Sequence, residues 1–218
     1  MINPIDREIF LTKKYEEENI FFLKKLIKEN NINYFFDVGA HMGFYSLNMA
    51  STFPNLLVAS FEPIESNFKQ LKSNVELNNI ESKIKIYKKI LSNKSEKMKM
   101  WVPDKNKTGG FSVYEEKDRE IKKYDTNKIC YEFAYSEQLD NIYKIKNEKI
   151  ALKIDVERHE KHVIMGAENI LKNNKVILQI ELFDQKKQEI ESMLKKMNFY
   201  FIKSYKKDNF YSNFNDSN

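Results

Sequence analysis

Apolar positions follow two rhythms along this chain. Short continuous apolar runs, the length of buried strands, alternate with longer stretches in which apolar residues recur at three-to-four spacing, as on one buried helix face. Residues 34–38, 56–61, 150–156 and 176–181 read as buried strands, and 84–91, where Ile84, Ile86 and Ile90 alternate with lysines, reads as a more exposed strand nearer a sheet edge. Helices are expected at 6–30, 43–52, 65–79, 160–172 and 185–197, with Leu23, Leu26 and Ile27, then Phe68, Leu71 and Val75, then Val163, Ile164 and Leu171 turned inward. Residues 199–205 and 210–214, parted by Lys206, Lys207 and Asp208, form a closing antiparallel hairpin. Strand-helix alternation of this kind predicts an α/β fold with a doubly wound, mostly parallel seven-stranded sheet.

The rhythm breaks once. Between 94 and 149 lie a short strand at 98–102, a turn at Thr108-Gly109-Gly110, a highly charged stretch at 115–128 and a second strand at 130–135. An insertion before the fourth core strand is a usual place for a substrate lid, and 94–149 is read as one within a single domain spanning 1–218.

The segment 35–47, FFDVGAHMGFYSL, is where chemistry first shows. A buried run around one carboxylate, Asp37, ends in a turn on Gly39, Ala40, His41 and Gly43 and restarts as helix. Gly39 permits backbone angles closed to other residues and lets a ligand lie against the main chain, so free N–H groups are expected to face that ligand. Glu62, about 20 residues beyond the turn at the end of the next strand, is placed to hydrogen-bond ribose hydroxyls. A dinucleotide fingerprint needs a glycine at the middle position, where this chain has His41. The looser spacing suits S-adenosylmethionine, which has no pyrophosphate to cradle.

A second cluster follows at strand ends, where ligands collect in open parallel sheets. Asp155, Glu157 and His159 are the candidate catalytic residues, and Glu181 ends the next strand. Asp155 closes an apolar strand, and partial burial raises a carboxyl toward the range of a general base. Glu157 can equally cap a helix N-terminus. Oxygen and imidazole ligands of this kind can also hold a divalent cation, although the spacing does not require one. Ser92 and Asn93, after the third strand, are read as small polar groups at the adenine edge, or as a plain turn.

Composition narrows the setting. With 37 basic and 32 acidic residues the formal charge is +5, and Lys-rich pieces at 85–89 and 203–207 are either solvated faces or contacts for phosphates and acidic lipid. Cys130 is the only cysteine, which excludes an intrachain disulfide and fits a reducing cytoplasm. The start of the chain does not read as a signal peptide, and no apolar run approaches the ~18 residues of a membrane span.

Taken together, 35–47, SFEP at 60–63, LKSNVELNN at 71–79, LDNI at 139–142, ALKIDVERHE at 151–160, VIMGAENIL at 163–171 and Ile180-Glu181 resemble the FkbM-type methyltransferases. The resemblance implies a Rossmann-like class I fold and O-methylation of sugars, glycans, glycolipids or natural products, with S-adenosylhomocysteine as the product. By position it implies that Asp37, Gly39, His41 and Gly43 line the methionine end of the donor, that Glu62 holds its ribose, and that Asp155 and Glu157 lie beside the transferring methyl; Ala40 and Pro63 are further expected cofactor-binding residues. Two positions depart from the family pattern. His41 stands where Asn is usual, and Arg158 where Gly is usual, so an ordinary backbone geometry is expected at Arg158. Its charge is expected to pair with Glu157 or Glu160, or else to bind an acidic acceptor.

Two other readings stand beside this one. Positive charge and the insertion's aromatics would suit nucleic-acid methylation, although Asp155-Val156-Glu157-Arg158 replaces the Asn/Asp-Pro-Pro-aromatic motif of amino-group base methylation. A catalytically degenerate fold acting as a binding module is the third.

Overall fold

The computed structural model describes residues 16–102, 112–113 and 130–215. In chain order its elements are α1 (Glu17–Glu29), β1 (Tyr34–Val38), α2 (Phe44–Thr52), β2 (Leu57–Phe61), α3 (Glu65–Leu77), β3 (Ile84–Tyr87), β4 (Ile90–Leu91), β5 (Lys97–Val102), β6 (Ser112–Val113) and β7 (Cys130–Glu137). There follow α4 (Leu139–Ile142), β8 (Lys149–Ile154), α5 (Glu160–Gly166), α6 (Glu168–Asn173), β9 (Lys175–Glu181), α7 (Asp184–Lys196), β10 (Tyr200–Tyr205) and β11 (Asp208–Ser212). The part of the expected first helix before residue 16 and the charged stretch at 115–128 lie outside the described residues.

Seven strands form the main sheet in the order β10-β11-β9-β8-β1-β2-β3. The five strands from β9 to β3 pair in parallel, and β11 joins β9 antiparallel. Winding therefore reverses between β1 and β8, and the C-terminal ends of those two strands open a crevice. One sheet face carries Phe35, Val58, Ala151 and Ile177 against α1, α2 and α3, and the other carries Phe36, Leu152, Ile154 and Leu178 against α5, α6 and α7. Each of these buried side chains other than Ala151 contributes about 1.5–3 kcal/mol of hydrophobic stabilisation.

The expected strand at 84–91 is two strands in two sheets. β3 ends the main sheet, whereas β4, past Lys88 and Lys89, pairs in parallel with β7 in a four-stranded sheet ordered β4-β7-β5-β6. Ile84, Ile86 and Ile90 all fall on even positions across this break, so periodicity does not reveal it. The second sheet turns Ile90, Met100, Val113 and Ala134 onto Ile64. Both strands expected in the insertion form, as β5 and β7, and pair antiparallel within this sheet, whereas the expected turn at 108–110 lies outside the described residues.

The expected helix at 160–172 is interrupted at Ala167, which has φ −116° and ψ 14°. Close packing accompanies the break, since a Cβ built on Gly166 would lie 1.9 Å from the Ser92 carbonyl oxygen. No helix among the described residues is long and apolar enough to cross a membrane.

Candidate active site

A polar row crosses the otherwise apolar sheet. Ser60, Asp37, Lys153 and Gln179 are successive register partners on β2, β1, β8 and β9, and all four are buried. Ser46 of α2 donates from its backbone N–H (3.1 Å) and its hydroxyl (2.6 Å) to Asp37 Oδ2, while Oδ1 is buried with no hydrogen-bond partner. Burial pushes the Asp37 carboxyl up, against the pull of the Lys153 cation. Lys153 Nζ reaches Asp155 Oδ2 at 3.0 Å and lies 4.6 Å from the centre of the Tyr45 ring. Burial alone would lower the Lys153 ammonium, but Asp155 and Asp37 outweigh it and hold it above its ordinary value. Gln179 Nε2 donates to Tyr45 Oη (3.0 Å) and Asp208 Oδ1 (2.8 Å), and Tyr45 donates to Glu16 at 2.6 Å.

Above this row lies a cleft of about 270 Å³ at the ends of β1 and β8. Val38, Gly39, His41, Glu62 and Pro63 line one part, Ile64, Ile90, Leu91, Met100 and Val113 form an apolar wall, and Lys153, Asp155, Glu157, His159 and Glu181 line the far part. Of the expected donor-site residues, Asp37, Ala40, Gly43, Ser92 and Asn93 do not line it. Asp37 belongs to the polar row beneath, and the Ser92 hydroxyl is turned to His159 Nε2 at 3.0 Å.

The glycine turn works by shape more than by free donors. Gly39 has φ 80°, and a Cβ there would lie 1.8 Å from the carbonyl oxygen of Asp155. Yet the N–H groups of Gly39 and Ala40 both go to Phe61 O at 3.0 Å, and that of Gly43 goes to Ala40 O. His41, at φ 52°, donates its N–H to Glu62 Oε2 at 2.8 Å. The expectation of free N–H groups is therefore overturned at these four positions, because the end of β2 supplies acceptors to three of them and the turn's own Ala40 carbonyl to the fourth. Histidine, like asparagine, tolerates the left-handed region better than most residues.

Glu62 is pinned on both oxygens, with Ile64 N–H on Oε1 at 2.9 Å. Its burial pushes the carboxyl up to about 7, the hydrogen bonds opposing. The Asn67 side chain donates to the same carboxyl.

The acids at the far end crowd one another. Burial pushes Glu157 up, helped by Asp155 and Glu160, and pushes Glu181 up to about 8, helped by Asp155, Glu157 and Asp208. His159 is buried and its ring stacks on His162 at 4.4 Å, and burial holds it down to about 3. It is a neutral strut between the β8–α5 turn and the end of β4. Glu157 and Arg158 have φ 48° and 79°, so the ordinary backbone expected at Arg158 is absent. Buried Glu160 accepts the Arg158 N–H at 2.8 Å and Lys186 Nζ lies 3.2 Å from its carbonyl oxygen, which holds the turn open in the left-handed region.

Sequence reasoning missed Lys153, Tyr45, Gln179 and Asp208. A lysine inside an apolar strand, two residues before an acid, was the available signal for the first. The others are joined to it only by the sheet register.

The sequence pattern of the methyltransferase FkbM domain matches residues 37–208. The chain belongs to the FkbM methyltransferase family. Among solved structures, the methyltransferase FkbM of Methylobacillus flagellatus KT superposes with TM-score 0.59 at 12% identity, covering 84% of this chain. The match spans 44% of that longer protein. A SAM-dependent O-methyltransferase of Thermotoga maritima superposes with TM-score 0.51 at 12% identity, over 95% of this chain and 70% of its own. A protein taken to be an rRNA methylase of Clostridium thermocellum gives 0.52 at 10% identity, over 87% and 93%. No curated protein matches the chain significantly. The FkbM chain thus shares the class I methyltransferase fold, which hosts several acceptor chemistries.

The residues present fit S-adenosylmethionine. An apolar wall suits a flat base, the buried Glu62 carboxyl that lines the cleft suits a diol, and the Gly39 turn leaves room for a ligand against the main chain. Among the described residues no group of three His, Cys, Asp or Glu side chains is placed to hold a metal ion.

Proposed function

We propose that this FkbM-family chain transfers a methyl group from S-adenosylmethionine to a hydroxyl of a sugar, glycan, glycolipid or small natural product. What supports this most is the placement of Asp155, held by Lys153 at 3.0 Å, in one cleft with Glu62 and the Gly39 turn. Glu62 would hold the ribose, the turn from Gly39 to Gly43 with Pro63 would shape the donor's bed, and Ile90, Leu91, Met100 and Val113 would cover its base. The donor, when bound, supplies a methyl already activated on a sulfonium. The protein's task is then alignment and removal of the acceptor proton.

Asp155, fixed by Lys153, and Glu157 are the proposed bases. The crowding that raises Glu157 and Glu181 brings carboxyls toward neutrality, where a general base is most effective. His159, kept neutral and tied to Ser92, serves here as a positioning group. The site needs no metal in this scheme.

Calorimetric titration with S-adenosylmethionine tests the donor half: Glu62→Ala should weaken binding about tenfold or more, whereas Asp155→Asn should leave it near wild type. Equal affinity in wild type and Glu62→Ala would remove the ribose assignment. Labelled methyl offered with a glycan extract tests the acceptor half, since an ether label survives mild alkali and an ester label does not.

A nucleic-acid acceptor is favoured by one observation. Tyr131, Phe133 and Tyr135 are exposed along β7, with Lys99 and Lys97 over the first two rings at 3.7 and 5.1 Å. Such a basic, aromatic sheet face is a platform for single strands. Salt-dependent RNA binding lost in Phe133→Ala would support it.

A further inference from the structure

Beside the acidic end of the cleft stand two cations around one aromatic ring. Arg158 Cζ lies 5.9 Å from the centre of the Phe183 ring, and Lys207 Nζ lies 4.3 Å from it. The three residues come from separate places: the turn after β8, the segment after β9, and the turn between β10 and β11. Each is fixed through its backbone or its immediate neighbour. Leu182 N–H donates to the Lys207 carbonyl at 3.0 Å, which joins the second and third, and the Arg158 backbone is held by Glu160 and Lys186.

Arg158 occupies this place at a conformational cost. At φ 79° glycine would be unstrained and arginine is not, and the residue before it is also left-handed. Strain kept beside a cleft, where a smaller residue would relieve it, points to a use for the side chain. The charges are also sorted by sign. Asp155, Glu157 and Glu181 line the cleft, and Arg158 and Lys207 stand beside Glu157 and Glu181 without lining it.

We infer that this rim selects an acceptor carrying an anionic group, a carboxylate or a phosphate, on a ring whose apolar face rests on Phe183. The acids accept hydrogen bonds from the acceptor's hydroxyls, while the guanidinium and ammonium hold the anion by charge-assisted hydrogen bonds. The inference rests on the hydroxyl-methylating reading above and narrows its substrate class.

The test is ligand-observed NMR titration of the full chain, saturated with S-adenosylhomocysteine, using methyl glucuronide, glucose 6-phosphate and methyl glucoside. Wild type should bind one or both anionic probes about tenfold more tightly than the neutral one, and which of the two is preferred separates carboxylate from phosphate. Arg158→Gly and Lys207→Gln should each remove most of that preference and leave methyl glucoside unchanged. Arg158→Gly should also melt at or above the wild-type temperature, because it relieves the turn, so lost preference is not lost folding. Equal binding of all three probes by wild type, binding of none, or an undiminished preference in Arg158→Gly would overturn the inference. Failure of wild type to bind the donor product at all would instead overturn the methyl-transfer reading beneath it.

Discussion

Gly39 and Asp155 meet backbone to backbone at the winding reversal, so closely that a Cβ on the first would lie 1.8 Å from the carbonyl oxygen of the second. The Asp155 N–H also donates to Val38 O at 3.0 Å, so β8 cannot retreat without losing its last rung to β1. Gly39→Ala should therefore destabilise the fold by about 2–4 kcal/mol and abolish donor binding together. Thermal denaturation with calorimetry checks this, and a variant with wild-type melting and affinity would refute the close approach.

Lys153 is the cation between two acids. Replacing it with methionine leaves Asp37 and Asp155 uncompensated and should cost about 3–5 kcal/mol in urea denaturation. Adding Asp37→Asn should return part of that loss. A Lys153→Met protein within about 0.5 kcal/mol of wild type would show the row to be energetically idle.

Glu62 makes stability depend on pH with a definite sign. Burial keeps it protonated up to about 7 in the folded chain, against an ordinary 4.5. The folded state thus holds a proton that the unfolded chain has released, and stability should fall as pH rises through that window. The loss is on the order of 3 kcal/mol, and Glu62→Gln should remove it from a pH series of denaturation curves. Donor affinity should move the other way, rising from pH 6 to 8 as the carboxylate that receives the ribose hydroxyls becomes available.

Glu181 should titrate near 8, as followed by carboxyl-carbon NMR. Asp155→Asn should draw that midpoint downward, because one of the charges opposing ionisation is gone. A midpoint near the ordinary value in wild type would show that the acids do not crowd as described.

Much of this was legible in the chain. The strands 34–38, 150–156 and 176–181 and the closing hairpin stand within a residue or two of their expected places, since long apolar runs between polar turns leave little choice of element. Glu62 and the Gly39 turn face one cleft for the same reason: strand ends in a parallel sheet share one edge. What escaped depends on neighbours in space. Residues 84–91 carry one alternation across two sheets, Ser92 chose a buried histidine over the cleft, and Arg158 adopts a backbone that only its clamps at Glu160 and Lys186 explain.

The polar row has a consequence for the history of each chain. Gln179 and Asn19 both donate to Asp208, and Gln179 donates to Tyr45 of α2, so parts from both ends of the sequence meet over the sheet. A nascent chain halted before residue 208 already contains the glycine turn, Glu62 and Asp155, yet leaves the buried Asn19 amide without its acceptor and Gln179 with one of its two. Synthesis proceeds from the N-terminus, and such donors keep the half-made domain open until β11 arrives. Competence for the proposed donor is then gained only once β11 has paired, and a chain cut before residue 208 is expected to bind none of it in calorimetry while carrying nearly every residue of the cleft.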